Sequence, residues 1–577
     1  MPATADGSAP RDDQDGPPPD PRRAARVAGW ATLGLVVAGL AWRVARFASC
    51  PPLWGDEAFI AVNLLARDYA GMLRTLEYYQ IVPLGFLWAE LAVVRLLGGS
   101  EWAVRLIPFL AGLAALGLFA RFATRLVDRR SALIAVGIFA ASYYPVRHAT
   151  EVKPYATDLL IALAATMLAW SLRDRPTSGR RWAGLTLVVA LGVWFSYPLV
   201  FVAAGIGLFL LTRVVARYPH ARAVVGFAAF GLIAGSSWLA SYLAFGRPQA
   251  QAAPFYSRLE TWRGAFPPLG RPWAIPGWLL DVHTGNMLAY PFGSHHGGSI
   301  ATAALVAVGV ARCWRTRRDL LVLLLAPLPL MLAASCLRLY PYGTSARTTL
   351  FLAPAFCLLA GVGAMTLVHR ARSAARRARW VRLATLTLGA IPVVAAVANV
   401  AQPYKNWEDW LNRRAIAALA DLARPGDRWL VTDGLDANLW SRHAILEHWV
   451  QQVAEVRYNV LARAPVPARW LPDAAGLVDA SRAGRTWLIV HRTPCPDFDE
   501  ARLVASRRKL ERRLGPPTVY EFALTRGESI TAYHYPGPGT PDPRPDPDVV
   551  ADPAPGSMVG FSWAVDYDDE DEPRASP

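Results

Sequence analysis

The chain has 577 residues, 53% of them hydrophobic and 11% aromatic, and a positive mean hydropathy despite long polar ends. This composition counts against an ordinary water-soluble domain and reads as a polytopic membrane protein with an appended soluble part. The net charge of +16 resolves into short arginine clusters between apolar segments, the pattern that orients membrane proteins. No basic stripe interleaved with aromatics lies on a soluble portion, so the charge gives no case for nucleic-acid binding.

Residues 1–24 are rich in Pro, Asp and Gly, lack apolar periodicity and read as a disordered tail. The stretch from Val27 to Phe47 follows Arg22, Arg23 and Arg26, is long enough to span, and lacks a small-residue cleavage site. It is expected to be an anchor rather than a removed signal peptide.

Trp54-Gly55-Asp56-Glu57-Ala58-Phe59 follows, a pair of carboxylates just beyond the first span. The same residues fit an ordinary helix start, with Asp56 as N-cap and Glu57 favoured by the helix dipole. Ile81 to Leu97 is apolar but carries Glu90 and Arg95 and is interrupted by Pro83 and Gly85. Counted as a span, it would send the clusters Arg121/Arg125/Arg129/Arg130 and Arg173/Arg175/Arg180/Arg181 outside. Read as an interfacial helix, it keeps both inside.

Further spans are expected near 102–122, 132–146, 155–171, 182–196, 198–214, 223–245, 299–312, 319–337, 348–368 and 383–400. That gives about eleven, with the N-terminus cytoplasmic and the C-terminal domain extracytoplasmic in a multi-pass cell (inner) membrane protein. The external side then holds the loop 49–101, the turn 147–158 and the loop 337–347. It also holds the long segment 246–298 with His283, His295 and His296, long enough for a lid or acceptor surface. The transmembrane part is placed at 25–400.

After Val400 the pattern changes to helices alternating with short strands at 428–432, 486–491, 519–524 and 530–535, with helices at 406–423 and 499–514. This is a small α/β domain at 401–535. The Pro-rich tail 536–577, ending in an acidic run from Asp566 to Glu572, reads as disordered. The five cysteines are scattered without zinc spacing, and Cys50 and Cys495 share the external side, which leaves a disulfide open.

Three external segments carry chemistry. Besides Asp56 and Glu57 there is Glu151-Val152-Lys153-Pro154-Tyr155-Ala156-Thr157-Asp158, where ionisable groups at the mouth of a bundle are costly unless paired or wet. Its structural alternative is a solvated turn with Asp158 capping the next helix. The third is Tyr340-Pro341-Tyr342-Gly343-Thr344-Ser345-Ala346-Arg347, in which Arg347 offers a planar fork to phosphate oxygens and, alternatively, a snorkelling anchor. Carboxylates, a lysine, an arginine and tyrosines at one water–membrane boundary suit sugar transfer from a polyprenyl phosphate. A carboxylate takes the acceptor's proton and fixed cations steady the departing phosphate.

Over about residues 27–400 these motifs, in this order, resemble the glycosyltransferase C superfamily, most nearly the bacterial family 39 relatives of dolichyl-phosphate-mannose protein mannosyltransferases. The resemblance implies a polytopic helical fold with membrane-surface helices in the first external loop, and Asp56 as catalytic base assisted by Glu57. Lys153, Arg347 and Tyr342 are expected at the donor phosphate, and Glu151, Tyr155, Asp158, Tyr340, Tyr79 and Gln80 at the substrates. Asp158 matches an acidic position that helps hold a divalent metal in related oligosaccharyltransferases, which leaves Mg or Mn at Asp56 and Asp158 open. Tyr78-Tyr79-Gln80-Ile81-Val82-Pro83 departs from the His-Pro-Pro of many relatives. The expected partners are a polyprenyl-phosphate-linked sugar, an extracytoplasmic acceptor and the bilayer. A transporter or flippase is the competing class, and it calls for charges in mid-span or in broken, repeated helices, of which the chain shows no internal repeat. A non-catalytic envelope-assembly protein is the other.

Overall fold

The computed structural model describes residues 21–217, 219–252, 264–293, 297–371, 373–404, 407–432, 447–464, 468–470, 485–492, 500–524 and 528–536. Most of both expected tails, together with His295, His296 and Cys495, lies outside these residues; Cys50 is a free thiol.

Helix α1 (Pro21–Ala48) leads into α2 (Gly55–Ala66), α3 (Leu84–Leu97) and α4 (Leu106–Leu126). Next come α5 (Arg129–Ala140), α6 (Tyr143–Arg147), α7 (Tyr155–Leu172), α8 (Gly179–Gly192), α9 (Leu199–Leu210) and α10 (Ala221–Ser241). The short α11 (Arg247–Ala252) and α12 (Ile275–Thr284) precede α13 (Gly298–Thr316), α14 (Arg318–Leu325) and α15 (Pro327–Cys336). A single turn, α16 (Ala346–Thr349), then introduces α17 (Ala353–Val368), followed by α18 (Ala374–Ala401).

Every stretch expected to span is helical. Among the described residues seven helical stretches are long and apolar enough to cross a bilayer: 25–48, 103–126, 155–172, 221–252, 318–336, 346–368 and 374–401. The remaining four form α5, α8, α9 and α13, shorter or less apolar and packed among the long ones. This is a multi-pass membrane protein. Helix α3 has 14 residues and packs its apolar face on α2, Phe86 and Leu91 beside Ile60 and Leu64.

Helix α17 is the axis of the bundle, apolar all round and almost wholly buried between α5 and α13. Its crossing with α13 depends on small residues. A Cβ on Gly309 would stand 2.0 Å from the Leu359 carbonyl oxygen, and one on Gly363 1.9 Å from that of Leu305. With no water to expel between membrane helices, such backbone approach is what dispersion needs. Helices α10 and α18 lie at the periphery and expose apolar side chains such as Leu232, Leu386 and Val397, the surface that lipid would cover.

Beyond α18, helix α19 (Trp407–Leu422) precedes β1 (Arg428–Thr432), α20 (Glu447–Arg463), β2 (Ala468–Trp470), β3 (Thr486–Arg492), α21 (Glu500–Leu514), β4 (Thr518–Ala523) and β5 (Ser529–Tyr535). They build one five-stranded sheet in the order β2-β1-β3-β5-β4. The first three strands are parallel and β5 is antiparallel to both its neighbours. Trp429, Trp487 and Ile530 pack under α19 and α20, while Leu488, Val490 and Tyr533 pack under α21. The four strands expected from the sequence are present. Strand β2 is new: three residues, Ala-Arg-Trp, show no alternation to read.

The soluble unit sits on the first loop. Ala454 and Tyr458 of α20 belong to the same apolar cluster as Ile60 and Leu64 of α2 and Phe86 and Leu91 of α3.

Candidate functional site

Asp56 lies in the first turn of α2. The helix is capped by the backbone of Trp54, whose carbonyl accepts from the amides of Glu57 (2.8 Å) and Ala58 (3.0 Å), so Asp56 is not the N-cap that its sequence position suggested. Its carboxylate is directed elsewhere: Lys153 Nζ donates to Oδ1 at 2.9 Å and Arg347 Nη1 to Oδ2 at 2.9 Å. One residue from each of three distant segments thus meets at one end of the bundle.

Local chain geometry explains the convergence. Lys153 ends a tight turn that follows a 3₁₀ turn at His148–Thr150, and Pro154 then starts α7. Proline supplies the fixed φ of a helix start and makes no use of an N–H there. Thus Pro154 stands at the N-cap of α7, its carbonyl accepting from the Asp158 amide at 2.8 Å, and Asp158 sits one turn inside the helix rather than capping it. Arg347 lies in α16, and the loop before it is tied down by Asn286 Nδ2 donating to the Thr344 carbonyl (2.8 Å) and the Tyr342 amide donating to the Ala265 carbonyl (2.8 Å).

Two buried ion pairs brace the cluster. Glu57, expected to assist the base, is 1% exposed and turned away from Asp56. Its Oε1 accepts from Arg105 Nε (2.7 Å) and from the Val152 amide (2.9 Å), and its Oε2 from Arg105 Nη2. Arg105 also donates to the carbonyls of Pro51 and Pro52. With three donors on its carboxylate, two from Arg105 and one from the Val152 amide, Glu57 fastens the first loop to the second. Glu151 is likewise buried, between Arg147 Nε (2.6 Å) and His148 Nδ1 (2.6 Å). Arg147 stacks its guanidinium over Trp54, 5.4 Å from the ring centroid. Arg46 Nε donates to Thr150 Oγ1 at 2.9 Å.

Burial alone would raise the pKa of Asp56, but Lys153 and Arg347 together outweigh it and hold the carboxyl below the ordinary range. The same balance puts Glu151 well below its ordinary value, against burial, through Arg147 and His148. Burial pulls His148 below its ordinary value, against Glu151, which pulls it up. At Asp56 itself one carboxylate faces two cations, Lys153 and Arg347, so one positive charge is left over, the electrostatics of a site for an anion.

The other expected site residues divide into two groups. Gln80 is in the cluster, its Oε1 accepting from Lys153 Nζ at 2.9 Å. Tyr79 stands beside it, half-buried, and Tyr155 lies within electrostatic reach of Asp56, Arg347, Glu151 and Asp158 while packing edge-on against His148. Asp158 is buried with no hydrogen-bond partner for Oδ1. Tyr340 donates to the Thr348 carbonyl at 2.8 Å. Tyr342 does not join the cations: its ring is buried near Trp278 and its hydroxyl is 3.4 Å from His283 Nε2.

A divalent metal does not fit the residues present. Both oxygens of Asp56 are engaged by cations, so an added ion would be held against Lys153 and Arg347. Asp158 is not among the groups meeting Asp56, and the described residues contain no group of three His, Cys, Asp or Glu side chains suited to a metal.

Reading the sequence missed Arg105, Arg147 and His148 as braces and the whole contribution of α20. It also passed over one signal: the chain has only three lysines, Lys153, Lys405 and Lys509, among 60 Lys and Arg. Where arginine is used almost everywhere, a buried lysine marks a place that needs a compact point charge rather than a fork.

The chain has the glycosyltransferase C fold. Residues 82–239 match the family model of dolichyl-phosphate-mannose-protein mannosyltransferase. The solved structure of ArnT from Cupriavidus metallidurans in the apo state is similar over 88% of this chain and 98% of that one, at 13% identity and a TM-score of 0.51. The same protein bound to undecaprenyl phosphate is similar over 87% and 98%, at 15% identity and a TM-score of 0.51. A comparison with curated proteins found no match.

Proposed function

We propose that the chain is an inverting glycosyltransferase that moves one sugar from a polyprenyl monophosphate to an extracytoplasmic acceptor, a lipid, glycan or protein. The observation that carries this reading is Asp56 held between Lys153 and Arg347 at one end of an apolar bundle, with one positive charge in excess there.

In the reaction the acceptor hydroxyl oxygen attacks the anomeric carbon and gives its proton to an Asp56 oxygen. The bond from that carbon to the phosphate oxygen breaks, and its electron pair leaves with the phosphate. Lys153 and Arg347 receive the growing negative charge, Arg347 through two parallel N–H groups and Lys153 as a point charge. The two cations serve both partners in turn. While they bind Asp56 they keep it ionised and weakly basic, and as they turn to the donor phosphate they release it as a stronger base. Tyr155, Tyr79 and the free Oδ1 of Asp158 are suited to sugar hydroxyls, with Tyr340 shaping the α16 side. The prenyl chain would lie along the apolar bundle.

The arginine clusters support a topology with this site outside the cytoplasm of an inner-membrane protein. Helices α4, α7 and α17 begin at the Asp56 end, so the clusters after them lie at the opposite end, where Arg173 also pairs with Asp319 at 3.1 Å. The family match and the undecaprenyl phosphate held by ArnT favour a polyprenyl donor.

The test is transfer from radiolabelled polyprenyl-phosphate sugars to membrane extracts by the purified protein. Asp56→Asn should lower the rate by about 10²–10⁴ while the protein stays folded. Wild-type-like transfer by a folded Asp56→Asn protein would remove Asp56 from the chemistry.

A further inference from the structure

Immediately before Gln80 the backbone does something costly. Tyr78 (φ 59°) and Tyr79 (φ 49°) are both left-handed, two consecutive residues that carry a Cβ. Such a turn persists only where its surroundings over-determine it. One support comes from the bundle side: the Tyr78 ring stacks on Phe59 of α2, with centroids 4.9 Å apart. Another comes from the soluble unit. Arg457 of α20 pairs with the Glu77 carboxylate and reaches the Tyr78 hydroxyl at 3.4 Å. Arg67, just after α2, faces the same Glu77 at 3.8 Å.

What this turn aims is Gln80. Its Nε2 donates back to the Tyr78 carbonyl at 3.1 Å, and its Oε1 takes one of the three protons of Lys153 Nζ. Lys153 spends a second on Asp56, which leaves one for a ligand. Contacts therefore run without a break from Arg457 through Glu77 and Tyr78 to Gln80, Lys153 and Asp56.

We infer that Arg457 is a positioning residue that makes α20 a working part of the transfer site: by holding the Tyr78–Tyr79 turn it keeps Gln80 on Lys153, and so Lys153 on Asp56. This rests on the reading of Asp56 and Lys153 given above. The Arg457 side chain is 15% exposed and the Glu77 side chain 36%, so a purely structural role predicts a lower melting temperature with Lys153 reactivity and the pH profile unchanged. The positioning role predicts a large functional effect with a small structural one.

The experiment uses the full-length protein and two variants, Arg457→Ala and Arg457→Lys, with three readouts: melting temperature, the pH profile of kcat and KM, and modification of Lys153 by an amine-reactive reagent. With only three lysines in the chain, the Lys153 peptide is easily followed by mass spectrometry. Arg457→Ala should melt near wild type and modify several-fold faster at Lys153. Its kcat should fall about tenfold or more, with less change in KM, as misplacement of a catalytic group does. Its acid limb should move to higher pH, because Asp56 loses part of the cation that depresses it. Arg457→Lys, which keeps the charge, should recover part of each change. Unchanged Lys153 reactivity with an unchanged pH profile in Arg457→Ala would overturn the proposal. Absence of transfer by the wild type with every polyprenyl-phosphate sugar would instead sink the transferase reading, and the Lys153 modification rates would still decide whether Arg457 positions that side chain.

Discussion

Asp56 and Glu57 are neighbours in sequence with opposite fates, and the difference comes from one helical step of about 100°. That step points Asp56 at Lys153 and Arg347, which come from other segments, and Glu57 into the packed side, where Arg105 waits. Removing one partner of a buried pair leaves the other charge desolvated and alone. Glu57→Gln should therefore cost about 3–5 kcal/mol, seen as a large drop in melting temperature. Replacing both partners together, Glu57→Leu with Arg105→Met, should restore most of that loss, because two apolar side chains carry no desolvation penalty. A double variant no more stable than Glu57→Gln would show that the pair's contacts with Pro51, Pro52 and Val152 matter more than its charges.

Helix α2 is held on two sides, and the contacts are tight enough to test. Gly55 faces α20 so closely that a Cβ would meet Gln451 Cβ at 2.2 Å and its Cα at 2.8 Å. Gly55→Ala should therefore push α20 off the loop and destabilise by about 1–3 kcal/mol, as overpacking does. Faster proteolysis of the soluble unit in the folded protein would register it, and unchanged proteolysis would mean that the seat is loose. Helix α3 offers a test of a different kind. Glu90 is fully buried on its packed face, neither carboxyl oxygen has a hydrogen-bond partner, and burial raises its pKa well above the ordinary value. A carboxyl whose folded pKa is raised binds its proton more tightly in the folded than in the unfolded protein. Its contribution is whole below the unfolded pKa and is lost as pH rises toward the folded one. Melting temperature should thus decline with rising pH above the usual glutamate range, and Glu90→Leu should flatten that decline.

For the whole molecule the arrangement is a membrane bundle, a first loop of short helices lying at one end, and an α/β unit seated on that loop. Arg413 Nη1 donates to the Cys50 carbonyl at 2.8 Å, Tyr458 donates to the Gly99 carbonyl at 2.9 Å, and Arg463 pairs with Glu101, so the soluble unit grips the loop where it begins and where it ends. With that geometry the unit and the site must lie on one side of the bilayer. In a background without native cysteines, Val519→Cys should react with a membrane-impermeant maleimide in spheroplasts, and Ser178→Cys should react only after permeabilisation. The opposite pattern would invert the topology and place the site in the cytoplasm.

Much of this was legible in the residues themselves. Apolar length marks the helices, since the cost of burying charge in hydrocarbon acts on each segment alone. Alternation of the segments then puts Asp56, Lys153 and Arg347 at one end, and strand composition marks four of the five strands. Periodicity says which face of a segment is buried and nothing about what it is buried against. That is why Glu57 looked like a partner in chemistry, why Tyr342 looked like a phosphate ligand, and why Arg105, inside an expected span, went unnoticed. The pairing of Glu57 with Arg105, the strained Tyr78–Tyr79 turn and the seat of α20 on Gly55 join positions 48 to about 400 residues apart. Their energies depend on distances of a few ångströms set when the packed helices exclude water, and that is a property of the folded chain alone.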